Sequence, residues 1–300
     1  MDGQDFQAHV IDWTGDTLNA EDIHARLAAH PRLPEIVRAL ARNMLEAGAD
    51  DRTLDGIFKD AGRYVAALWS LYLHASGGLN LPRLKAICAS SGFLSPGRAR
   101  ALLLYMRYLG YVEPMSKRRG EPTPYVPTAR FLASWRRHVR AALDCVTSVE
   151  PGVAHLAKRL DETEVFNAFV RWEGEGLLEA AKTFGVDRPF TRVFMNRHAG
   201  SQMVWVLLVA DTSGIFPPHA ITAPSVSAMA KRFGVSRMHI KRLFKDAENE
   251  GLIRNQPGNI IHFETRLRDD MHLIYVAQLV RLLIAAASAL KECPPQTAHF

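Results

Sequence analysis

From Ser225 to Ile253 the chain reads SVSAMAKRFGVSRMHIKRLFKDAENEGLI. Within it Ile240, Leu243, Phe244 and Ala247 recur at i, i+3, i+4 and i+7, the spacing that lays one apolar stripe along a helix. A shorter apolar set, Val226, Met229 and Ala230, precedes it across Gly234-Val235-Ser236. The pattern predicts two helices, over 225–233 and 236–250, packed stripe to stripe about a tight turn. Ser236 is a natural N-cap, because its hydroxyl accepts a backbone N–H of the first turn. Gly251 is placed to end the second helix in a left-handed conformation. LIRNQPGNIIHFET follows, two arms rich in apolar and β-branched residues around Pro257-Gly258, which predicts a hairpin.

The same order recurs upstream. LSPGRARALLLYMRYLGYVEP from Leu94 lies over VSRMHIKRLFKDAENEGLIRN from Val235, so that Ser95 meets Ser236, Leu102 meets Leu243, Gly110 meets Gly251 and Val112 meets Ile253 at a constant offset of 141. FKDAGRYVAALWSL from Phe58 matches FMNRHAGSQMVWVLL from Phe194 with a one-residue slip, and LEA at Leu45 returns at Leu178. Each copy starts with an apolar helix, over 63–75 or 201–211, and passes a Gly/Pro break able to hold one brief strand. Two helices then follow, over 82–89 and 96–109 in the first copy. A hairpin comes next, and Thr128 or Thr265 opens a long apolar helix. Ser95 with Pro96 supplies an N-cap and an N1 proline. We read this as an internal duplication. The expected partition is 1–55 as an N-terminal helical segment, 56–150 and 197–300 as the two modules, and 151–196 as connecting helices.

Helix, strand, helix, turn, helix and two-stranded wing is the order of the winged helix-turn-helix. With helices on both sides, each copy resembles a regulator of the MarR type. The resemblance implies a mostly α fold with small β-hairpin wings, as tandem winged helix-turn-helix modules whose flanking helices build an interface. It also implies a core that binds double-stranded DNA. Two copies in one polypeptide depart from that family's single module, so a symmetric dimer on a palindrome does not follow. A pseudo-dimeric monomer and a homodimer both remain open.

Charge sharpens the expectation. The chain is formally +6, yet residues 96–120 hold six Lys or Arg against one Glu, and 225–254 hold seven against three acids, so these windows together exceed the total. Opposite the apolar stripe of 236–250, Arg237, Met238, His239, Lys241, Arg242 and Lys245 face outward, with no acid before Asp246. A solvated helix face ordinarily intersperses acids for i, i+4 pairing. Arg237, His239 and Arg242 are expected to read bases or sugar-phosphate, with Lys231, Arg232, Lys241 and Lys245 as positioning contacts. Arg254, Asn255 and Gln256 form the second hairpin's weaker tip. In the first copy Ala99, Leu102, Leu103 and Met106 form the inner stripe, leaving Gly97, Arg98, Arg100, Ala101, Leu104, Tyr105 and Tyr108 outside. Ala101 suits a thymine methyl and Tyr105 a phosphate; burial of this face against another part of the chain is the alternative. Lys117, Arg118 and Arg119 make a cationic hairpin tip suited to phosphates flanking a narrow minor groove.

Other chemistry is not indicated. The three cysteines, Cys88, Cys145 and Cys293, have no ligand or disulfide spacing. Nucleophile elbow, P-loop, dinucleotide and HExxH motifs are absent, so neither an enzyme nor a cofactor or metal site is expected. His30, His155 and His198 read as structural or surface residues, and Glu173, Glu175 and Glu179 as a helix edge interrupted by Gly174 and Gly176. Met1–Asp16 lacks the pattern of a secretory leader. The apolar run 271–290 is interrupted by His272, Gln278 and Arg281, which favours a buried bundle helix over a membrane span. A cytoplasmic, nucleoid-associated protein is therefore expected. Trp69, Tyr72, Trp135, Trp172 and Trp205 have the spacing of plain core, with a pocket for an aromatic or lipophilic effector as the alternative. Double-stranded DNA is the expected partner and transcriptional repression the expected role. A tandem winged-helix replication initiator and a winged-helix protein adaptor are the rivals.

Overall fold

The structure is a computed structural model and describes residues 19–184 and 187–294. It is mostly helical, with two small antiparallel sheets of three strands each. In chain order, α1 (Ala20–Ala28), α2 (Leu33–Asp50), α3 (Arg52–Phe58) and α4 (Ala61–Ala75) lead into β1 (Leu79–Asn80), α5 (Leu81–Ser90), α6 (Pro96–Tyr108), β2 (Val112–Pro114), β3 (Pro124–Pro127) and α7 (Ala129–Val146). There follow α8 (Val153–Arg159), α9 (Thr163–Phe184) and a π-helical turn at Thr191–Met195. The last group is α10 (Gly200–Ala210), β4 (Ala220–Thr222), α11 (Val226–Phe233), α12 (Arg237–Asn249), β5 (Ile253–Gln256), β6 (Ile260–Phe263) and α13 (Thr265–Glu292).

The described residues form two compact units that interleave in sequence, one from 19–27, 65–184 and 277–294, the other from 28–64 and 187–276. This differs from the sequential partition into 1–55, 56–150, 151–196 and 197–300. The reason is long-range packing: α2 lies against α10 in the second unit, and the end of α13 closes onto the first, where Arg281 meets Glu173 at 2.8 Å and Arg159 donates to the Cys293 carbonyl at 2.7 Å. The leader reading of the first sixteen residues lies outside the described residues.

In the first unit the Asn80 side chain caps α5 by accepting from the Arg83 N–H, and Ser95 caps α6 by accepting from the Arg98 N–H ahead of Pro96. Ala99, Leu102, Leu103 and Met106 are buried, as the stripe predicts. The helix stops at Gly110, φ +70°, where the Tyr111 N–H reaches back to the Met106 carbonyl at 2.9 Å. β3 is central in its sheet, paired with β1 and β2. Tyr111 stacks on Phe131 at 4.6 Å, and Trp135 meets Phe131 edge-on at 5.8 Å. Trp69 and Trp135 are wholly enclosed. Glu173 is a buried ion-pair partner of Arg281, and no metal-binding cluster of acids, His or Cys occurs among the described residues.

His138, buried on α7 beside Trp135, has its pKa pushed down to about 4 by loss of solvation. The folded imidazole stays neutral at pH values where the unfolded one, titrating near 6.5, takes up a proton. Stability therefore falls as pH drops from about 6.5 to about 4, by about 3 kcal/mol at most from this group. Urea denaturation at pH 7 and at pH 4.5 should show that loss reduced in His138→Gln.

The second unit repeats the local devices. Ser225 and Ser236 cap α11 and α12 by accepting from the Ala228 and His239 N–H groups. Gly234, φ +65°, makes the turn between them. The Leu252 N–H reaches the Ala247 carbonyl at 2.8 Å, the counterpart of Tyr111 to Met106 at the same offset of 141. β6 is central, paired with β4 and β5. Both units thus carry helix, strand, helix, turn, helix, hairpin with the same strand order. In α13, the one described helix long and apolar enough to cross a membrane, 67% of the most apolar window is buried, as the bundle-helix expectation requires.

Candidate nucleic-acid interface

α12 presents two chemically distinct sides. Ile240, Leu243, Phe244 and Ala247 are buried, which turns Arg237, Met238, Lys241, Arg242 and Lys245 to solvent, all of them exposed. Lys231 and Arg232, at the end of α11, are exposed as well. Among the described residues none of these six cations has an ion-pair or side-chain hydrogen-bond partner.

The acids of the same helix are engaged elsewhere. Asp246 pairs with Arg197 at 3.0 Å and Glu250 with Arg192 at 3.2 Å, while Glu248 accepts from the Asn255 backbone N–H at 3.1 Å. Negative charge is thereby confined to the last turns and partly neutralised there, leaving the first two turns uniformly cationic. Beside them runs a groove of about 470 Å³ between α12 and the β5–β6 hairpin, with Lys241 and Lys245 on one wall and Asn255, Gln256 and Asn259 on the other. Its lysines and amides offer donors to an anion, Glu248 also lines it with its carboxylate taken up by the Asn255 N–H, and Met229 and Phe244 contribute apolar lining.

His239 departs from the expectation of a base reader. It is half-buried, and its Nε2–H donates to the His198 backbone carbonyl at 2.7 Å, the two rings 6.1 Å apart. Burial first, then the nearby Arg63 and Lys59, hold the His198 imidazole below its ordinary pKa. His239 is a strut joining the first turn of α12 to the segment 191–199, which also supplies Arg192 and Arg197. The sequence partition divides that segment, 191–196 to the connecting helices and 197–199 to the second module, and does not indicate its bracing role; the signal present is the pair of arginines set against Asp246 and Glu250. Lys59 completes the support, donating to the Phe233 carbonyl at 2.8 Å while paired with Asp55 at 2.9 Å. Arg254 of the hairpin is exposed but salt-bridged to Glu264, so its charge is partly offset.

In the first unit Arg100 is exposed on α6, Arg98 and Tyr105 are half-buried, and Lys117, Arg118 and Arg119 are exposed in the loop joining β2 to β3. Ala101 is exposed and Leu104 and Tyr108 keep 47% and 85% of their surface, so this face is open rather than buried. Of the aromatic residues considered as pocket lining, Trp69, Trp135 and Trp205 are buried and Trp172 is 38% exposed. Trp69 packs edge-on to Tyr72, and Trp205 to Phe58.

No protein-family model, curated protein or solved structure matches the chain at a significant level.

Proposed function

We propose that the chain is a sequence-specific double-stranded DNA-binding transcriptional regulator, acting as a repressor by promoter occupancy. In this reading β1–β3 with α5 and α6, and β4–β6 with α11 and α12, are two MarR-like winged helix-turn-helix modules, and α12 is a helix that enters the major groove. One observation carries it: Arg237, Lys241, Arg242 and Lys245 stand exposed on a rigid helix without acidic partners among the described residues, beside a groove lined by hairpin amides. Cations held at helical spacing repel one another, by a few tenths of a kcal/mol per close pair, and a phosphate backbone relieves that repulsion.

The test is salt dependence. If Lys231, Arg232, Lys241 and Lys245 reach phosphates while Arg237 and Arg242 read bases, log Kobs should fall against log salt with a slope of about −4. A flat response would return the cations to the role of a solvated face and favour a protein adaptor. The differing faces of α6 and α12 within one chain also favour a second reading, a replication initiator that grips unlike elements of an origin. Genome-wide occupancy separates the two: dispersed promoters for a regulator, one cluster of sites for an initiator.

A further inference from the structure

We propose that α6 recognises thymine by its 5-methyl group, so that the two modules read chemically different bases. The inference rests on the DNA-binding reading above and specifies its substrate. On α6, Gly97, Ala101, Leu104 and Tyr108 share one face at i, i+4, i+7 and i+11. All four are exposed, and the space around Gly97 is open. Leu104 holds 47% of its surface in water and Tyr108 85%, in a helix whose other large apolar side chains, Leu102, Leu103 and Met106, are buried.

The surroundings say what covers this stripe. Helical geometry places Arg100 and Arg107 along one flank, Arg98 and Tyr105 along the other. The hairpin tip adds Lys117, Arg118 and Arg119, and Glu113 is the only acid in 96–120. Cations on both flanks of an apolar centre match a helix lying in a major groove, with phosphates on either side and base edges in the middle. Gly97, Ala101 and Leu104 carry no donor or acceptor in their side chains, so they cannot read the polar edges of guanine, adenine or cytosine. The one apolar group on that groove floor is the thymine methyl. α12 is the complement, with Arg237 and Arg242 fitted to the two acceptors of guanine. The Tyr108 hydroxyl, at the exposed end of the stripe, supplies a phosphate contact.

The experiment uses the full chain and a duplex selected from a random pool. Each thymine is replaced in turn by uracil, which keeps the Watson–Crick pair and removes only the methyl. Fluorescence anisotropy should show about a fourfold loss of affinity at each contacted position, the value for one methyl-sized apolar group returned to water. Leu104→Ala should weaken binding to the thymine duplex and show no further loss with uracil at the same position. Its melting temperature should fall only slightly, since about half of the side chain's surface already lies in water. Uracil duplexes all bound as tightly as their thymine parents would overturn the proposal. If Arg237→Ala still weakened binding in that case, the DNA reading would stand without it. Failure to select any duplex, with a flat salt response, removes both and leaves the stripe to an acidic amphipathic protein partner.

Discussion

Arg237→Ala combined with Arg242→Ala should lower affinity for the selected duplex by about 100-fold or more, because a two-pronged arginine–guanine contact contributes about 1–3 kcal/mol. The loss should be concentrated at one or two base pairs, where the variant tolerates substitutions that the wild type rejects. Thermal stability should not move with it. Both side chains are exposed and lack partners among the described residues, and surface changes of that kind stay within about 0.5 kcal/mol. Lys241→Ala and Lys245→Ala should behave differently, weakening all sequences alike and reducing the salt slope by about one each. Unchanged affinity in the double arginine variant would remove α12 from the reading role, whatever the rest of the molecule does.

The exposure of these arginines and lysines was legible in the chain itself, since the period of Ile240, Leu243, Phe244 and Ala247 dictates which residues lie opposite. The caps at Ser95, Ser225 and Ser236 were legible for the same reason: a hydroxyl ahead of an apolar period has one local use. Both hairpins also form where Gly, Pro and β-branched residues indicate them. What local pattern could not reveal was anything decided by a distant segment. His239 sits at the edge of the cationic face, and only the His198 carbonyl, brought there by the fold, turns it into a strut. Arg254 reads from sequence only as part of a weakly charged hairpin tip, and it is the start of α13 that places Glu264 against it. The interleaving of the two units follows from α2 meeting α10 across more than 150 residues of sequence, a pairing no window of periodicity contains. Exposure of the α6 stripe was undecidable for a related cause: apolar residues on an outward face are equally consistent with a buried contact.

The support behind α12 supplies the second large effect. Gly200→Ala should cost the second unit about 3 kcal/mol, although alanine is favoured over glycine in helices by about 1 kcal/mol. A Cβ at Gly200 would lie 1.9 Å from the Phe194 carbonyl oxygen and 2.7 Å from its carbon, backbone atoms that cannot rotate aside. The approach is fixed from both directions. Upstream, the Asn196 N–H closes the π-turn onto the Thr191 carbonyl at 2.8 Å, and Ala199, at φ +60°, donates to the Lys59 carbonyl at 2.8 Å. Downstream, α10 is buried from Gly200 through Leu208 and has no room to tilt. The strain is therefore relieved by lifting 191–199, the segment that holds His239, Asp246 and Glu250. Urea denaturation should show the midpoint lowered, and any variant protein that remains folded should bind duplex more weakly although no exposed cation has changed. If the midpoint fell while affinity in the folded fraction stayed at the wild-type value, 191–199 would be a stability element only, and α12 would hold its orientation through its buried stripe alone.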